Sequence, residues 1–218
     1  MSRALSRAFL PDQPQHLVLE DVSWELYEML LRNIGNRPLR ITFDDGLLEV
    51  MSPSLEHERT KGIIDRMIAM LAFETHRPML SLGSSTFRRR DISKGLDPDE
   101  CYYFRNEAKM RGRKLLNLNR DPPPELVVDA DIISRCVPRE PIYAALGVPE
   151  IWRFDGLKLQ CLHLVNGEYC ERKRSLVFPF LQPAQLRRFV DELMQKDDTS
   201  ILREFIAWVR KQGWTPTA

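Results

Sequence analysis

The sequence predicts an α/β fold: a mixed central sheet of about four or five strands with helices on both faces, decorated by extra hairpins. Three observations carry this. First, a strand–helix–strand order occupies residues 126–154. The apolar run Leu126-Val127-Val128 is followed by a short helix from Pro141 to Leu146 and a second strand from Glu150 to Phe154. Second, a long helical pattern opens near Leu55, its apolar face carrying Ile63, Ile64, Met67, Ile68, Met70, Leu71 and Phe73. Third, Asp44-Asp45-Gly46 and Asn166-Gly167 each separate two strand-like runs, the signature of tight hairpins.

The elements follow in order. Residues 1–15 read as a flexible arm, 16–195 as the core and 196–218 as a helical extension of a single domain. Asp21-Val22-Ser23 caps a helix, WELYEMLLRNI, that stops at Gly35-Asn36. Strands at 39–43 and 47–51 form the first hairpin. The long helix ends before Pro78, and residues 79–82 and 84–87 are strand material leading into Arg88-Arg89-Arg90. A glycine turn at Lys94-Gly95 precedes Asp97-Pro98-Asp99-Glu100 and the aromatic strand Cys101-Tyr102-Tyr103-Phe104. Residues 105–120 form a basic loop or frayed helix. Beyond the central stretch come strands at 157–165 and 169–178, then helices at 183–194 and 200–211.

The 218 residues carry 32 basic and 31 acidic side chains, net +1, so no global field attracts a polyanion. Nucleic-acid contact would have to come from local clusters, the arginine run and residues 105–120 first. Four cysteines without CxxC spacing argue for reduced thiols in a cytoplasmic protein and against a zinc motif. There is no signal-peptide pattern and no apolar stretch of bilayer-spanning length.

The chemistry-bearing residues are carboxylates. Asp129 and Asp131 break the end of an apolar strand at alternating positions, placing both on one face, where a buried carboxylate demands a cation. Asp99 follows a proline, and Glu58 opens the long helix beside His57. Carboxylates gathered at strand ends, completed by water and a carbonyl, make a Mg2+ or Mn2+ site. Each has a plainer reading. Glu58 suits a helix start electrostatically. Asp131 can bridge to Arg135 or Arg139. His163 reads as outward-facing on a half-exposed strand. Ser84-Ser85-Thr86 suits a strand start, and Tyr143, Leu146 and Trp152 read as core.

The order Asp44-Gly46-Leu48-Glu49-Met51-Ser52-Pro53, His57-Glu58, Pro98-Asp99, Pro124 to Asp129, and Ile142 to Trp152 resembles the Uma-type endonuclease family. That family is similar to the restriction-endonuclease-like PD-(D/E)XK superfamily, and the match spans roughly residues 35–190. The resemblance implies a restriction-endonuclease-like fold and divalent-metal-dependent hydrolysis of DNA. It makes Asp99 and Asp129 metal ligands, Glu58 a third ligand, and Mg2+ or Mn2+ the cofactor; it leaves a homodimer open. Two departures stand out. Asp131 sits where the superfamily has its lysine, and Arg139 sits where family members carry a lysine on the following helix. Arginine stabilises phosphate charge but is a poor general base. The competing expectation is therefore a catalytically degenerate domain that binds nucleic acid or a protein partner.

Overall fold

The computed structural model describes residues 16–35, 37–130 and 136–214. Its strands form two sheets, where the sequence predicts a single central one with decorations. The first sheet grows from the expected hairpin, β2 (Arg40–Asp44) and β3 (Leu47–Met51). Asp45 and Gly46 have φ of 47° and 93°, the conformation a two-residue hairpin turn requires. β1 (His16–Leu19) pairs with β3, and β6 (Lys94–Leu96) joins β2 to β5 (Phe87–Arg89). All these pairings are antiparallel. Helix α1 (Trp24–Ile34), capped by the Ser23 hydroxyl, covers one face with Tyr27 stacked on Phe43 at 4.9 Å.

The second sheet holds β4 (Leu80–Gly83), β7 (Glu100–Tyr103), β8 (Leu126–Ala130), β9 (Glu150–Phe154), β10 (Leu159–Val165) and β11 (Glu168–Glu171). Its order is β11-β10-β9-β8-β7-β4. β8 and β9 are parallel, with helix α4 (Glu140–Leu146) lying between them in the chain, as a parallel pair needs. Every residue of β8 is buried, which explains its apolar run Leu126-Val127-Val128 and sets Asp129 inside as well. One face, with Leu126, Val128 and Trp152, packs on α2 (Leu55–Glu74) and α6 (Asp198–Lys211). The other, with Val127 and Ile151, meets Ile142 and Tyr143 of α4 and also Phe87 and Leu96 of the first sheet. That second core joins the two sheets.

Three further expectations change. The strand predicted to reach Phe178 ends at Glu171, because the N–H groups of Leu176 and Val177 donate to the Glu150 carboxylate instead of to a neighbouring strand. The helix predicted at 183–194 is three short pieces: a 3-10 turn at Pro183–Leu186, α5 (Arg187–Val190) and a 3-10 turn at Asp191–Met194. None has a side-chain cap to hold a longer run. Gly95, read as a turn, lies inside β6, paired with Phe43, and is glycine because a Cβ there would overlap the Tyr27 hydroxyl. The basic segment carries only α3 (Glu107–Met110), as a frayed helix would. Among the described residues no helix is long and apolar enough to cross a membrane. The arm at 1–15 lies outside the described residues.

Candidate functional site

The chain passes from the first sheet to the second through Asp97-Pro98-Asp99, between β6 and β7. Both aspartates are buried in that crossing, Asp99 completely. Asp97 faces back to the first sheet: its Oδ2 accepts the Ile41 N–H at 3.0 Å, and its own N–H donates to the Ile41 carbonyl at 3.1 Å. Burial raises its pKa, opposed by a hydrogen bond from Thr86. Asp99 faces the second sheet. Its Oδ2 accepts the Ala130 N–H at 2.8 Å, and its Oδ1 lies 3.0 Å from His57 Nε2 and 3.7 Å from Arg40 Nε.

Asp129 is the penultimate residue of β8 and is 2% exposed. β7 and β8 are antiparallel with Glu100 opposite Val128, so continuing the register one step sets Asp99 across from Asp129. The two carboxylates predicted to act together are thus cross-strand neighbours at one end of the sheet. Arg139, at the start of α4, lies against Asp129 with Nη1 2.9 Å from Oδ1. Its Nη2 donates to the Asp97 carbonyl and to the Tyr143 hydroxyl, the latter at 3.0 Å, and its guanidinium stacks 5.4 Å from the Tyr143 ring centroid. The Arg139 expected beside the phosphate is therefore also the brace that ties α4 to the inter-sheet crossing. Asp131 lies outside the described residues.

Glu58 is placed differently. His57 and Glu58 both sit in the first turn of α2, where the Ser54 hydroxyl accepts the His57 N–H at 3.1 Å. His57 turns inward to Asp99, whereas the Glu58 side chain is 42% exposed. It pairs with Arg40 at 3.7 Å and Lys61 at 3.4 Å. Arg40 thus spans Glu58 and Asp99. The donor chemistry of Asp99 and Asp129, two buried carboxylates, fits a hard divalent cation. Glu58 fits only at a distance: these three do not form a group whose ligand atoms lie within 4.8 Å of one another.

Arg40 and Lys61 reach the site carboxylates and Glu49 is buried, and the sequence alone singled out none of the three as a functional residue. Arg40 and Thr42 alternate with Ile41 and Phe43 on β2, and Glu49 stands opposite Thr42 on β3. Glu49 is 1% exposed; its Oε1 accepts the Cys136 N–H at 2.9 Å and lies 3.2 Å from His16 Nδ1. The polar face of a hairpin ordinarily points to water, and here Arg40 reaches Asp99 while Thr42 and Glu49 are buried. Lys61 is the third, 3.6 Å from Glu100 as well as beside Glu58. Desolvation and the Asp65 charge push Glu100 up to about 7, with Lys61 opposing.

The family described as "Uma2: Putative restriction endonuclease" matches residues 24–193, most of the chain and all of this site. The chain belongs to the Uma2 family. Its mixed α/β architecture is accordingly restriction-endonuclease-like. No curated protein matches the chain significantly. Uma2 membership covers α1 through the three short turns at 183–194 and leaves α6, which packs on α2, beyond the matched segment.

Proposed function

We propose that this Uma2 protein is a divalent-metal-dependent endonuclease that hydrolyses phosphodiester bonds in DNA. The observation that carries this reading is the cross-strand placement of Asp99 and Asp129, buried together at the junction of two sheets and surrounded by Arg40, His57 and Arg139. Asp99 and Asp129 would hold Mg2+ or Mn2+, with Glu58 reaching it through water. The ion would supply a bound water of lowered pKa and neutralise charge on the phosphate. The protein's own groups do the rest. His57 and the Ala130 N–H fix the orientation of Asp99. Arg139 offers a delocalised cation to the phosphate oxygens as negative charge grows on them. Arg40 holds Glu58 near Asp99.

A second reading is a degenerate nuclease domain that binds nucleic acid or a protein without cutting. The observation favouring it is Arg139 itself, an arginine at the family's lysine position that lies against Asp129. The deciding experiment is nicking of supercoiled plasmid with Mg2+ or Mn2+. The nuclease reading expects metal-dependent nicking that Asp99→Ala and Asp129→Ala each reduce by at least about 100-fold, a few kcal/mol of transition-state stabilisation, with the fold intact by circular dichroism. Absence of nicking in either metal by the folded native protein, with plasmid still retarded on a gel, would move the assignment to the second reading.

A further inference from the structure

A second constellation lies on the α2-facing side of the second sheet, on β9 and β10. Glu150 stands directly opposite His163 in the β9–β10 register, and Cys161 precedes His163 by two residues on the same strand, so all three side chains share one face. Their ligand atoms all lie within 4.8 Å of one another. Cys161 Sγ is 3.3 Å from Glu150 Oε1 and 3.4 Å from His163 Nε2. Around a tetrahedral zinc ion, bonds of about 2.0–2.3 Å to oxygen, nitrogen and sulfur put neighbouring ligand atoms about 3.3–3.8 Å apart. Those two separations match that spacing.

We propose that Glu150, Cys161 and His163 form a binding site for a zinc-like divalent cation, separate from the carboxylate and arginine site. The donor set, one thiolate, one imidazole and one carboxylate, selects a borderline-soft ion over Mg2+. Its surroundings suit the task. Glu150 is held from outside the site by the Trp152 indole N–H at 2.6 Å and by the Leu176 and Val177 N–H groups at 2.8 and 3.1 Å, the kind of support that orients a ligating carboxylate. The Cys161 thiol now donates to Glu150. On capture the Cys161 S–H bond breaks, the sulfur electron pair forms the bond to the metal, and the proton leaves to solvent. His163 is half-buried, giving the fourth position access to water. Cys170, opposite His163 on β11, shares that face. Because Glu150 also gathers residues 176–177, a bound ion would clamp that segment to β9 and β10.

The test is titration of chelator-stripped full-length protein with Zn2+ and Co2+. We expect a Zn2+ equivalent that depends on Cys161, a near-ultraviolet thiolate-to-cobalt absorption band, and a raised thermal midpoint on Zn2+ addition. Cys161→Ser should remove the band, and His163→Ala, at a half-exposed position that tolerates change, should weaken Zn2+ binding by about 10-fold or more. Asp99→Ala should leave the band unaltered, which separates this site from the other. A native protein with no cobalt band, Zn2+ binding unchanged by Cys161→Ser, or a band lost in Cys170→Ser but retained in Cys161→Ser would overturn the assignment.

Discussion

At the scale of single residues, Arg139 carries two roles that pull in different directions. As a brace it neutralises Asp129, holds the Asp97 carbonyl and stacks on Tyr143, all in a buried setting. Removing one partner of a buried ion pair typically costs about 3–5 kcal/mol, because the other charge keeps its desolvation penalty. Arg139→Met should therefore lower the denaturant midpoint markedly. Arg139→Lys restores a titratable amine at the family position, so it should raise nicking per folded molecule while lowering stability by less than the Met change. A Lys variant that is folded and no faster would remove the general-base argument. Glu100 gives a pH prediction with a definite sign. Its folded-state pKa of about 7 lies above the ordinary 4.5, so the native state binds its proton more tightly than the unfolded chain does. Its contribution is fully present below about pH 4.5 and is lost as the pH rises through 7. Between pH 5 and 7.5 the native protein should lose stability relative to Glu100→Gln, read as converging or crossing urea midpoints. Partial exposure of this side chain and its Lys61 partner will moderate the size of the effect.

At the scale of elements, β6 shows how one residue sets a packing distance. Tyr27 of α1 lies over Gly95, and a methyl group there would meet the Tyr27 hydroxyl at 2.2 Å and its ring carbons at 2.8 and 3.0 Å. The ring cannot swing away freely, because it stacks on Phe43 and meets Trp24 edge-on at 5.1 Å. Gly95→Ala should thus cost about 1–3 kcal/mol by overpacking, and Gly95→Ala with Tyr27→Phe should recover part of it, measured by thermal or urea melts. The contrast between Gly95 and Gly46 explains what the sequence made legible. Gly46 lies two residues from its own strand partners, so a local turn rule suffices; Gly95 is glycine because of Tyr27, a residue 68 positions away whose approach no local pattern records. The site divides the same way. Asp99 and Asp129 were readable because each breaks a local rule, an acid after proline and an acid ending a buried strand. Arg40 and Glu49 obey the alternation of a half-exposed hairpin, and only contacts far along the chain, Arg40 with Asp99 and Glu49 with the Cys136 N–H, give them their roles. The separate first sheet was hidden for the same reason: its strand order across β6 and β2 depends on residues 42 and 96, far apart in the chain.

At the scale of the whole molecule, a net charge of +1 means that the proposed DNA contact would have to come from local cations, and the structure changes which ones are available. The arginine run is largely spoken for: Arg88 pairs with Glu28 at 3.2 Å, Arg89 with Asp91 and Arg90 with Glu25. Two of those three partners sit on α1, so the run fastens that helix to the edge of the first sheet. In residues 105–120, Arg111 pairs with Glu107 and Arg113 with Asp121, while Lys109, Lys114 and Arg120 have no ion pair among the described residues. This segment leaves β7 at the end opposite Asp99, one strand length along the sheet. If the nuclease reading holds, Lys109→Ala, Lys114→Ala and Arg120→Ala together should weaken duplex binding and flatten the dependence of log affinity on log salt by about two to three units, since each phosphate contact contributes about 0.9. Arg88→Ala, Arg89→Ala and Arg90→Ala together should leave the salt slope within about one unit and instead lower stability through the lost pairs to α1. Fluorescence-anisotropy titrations across a salt series measure both slopes. The reverse ranking would place the DNA along the edge of the first sheet, which would require the Glu25, Glu28 and Asp91 pairs to open on binding.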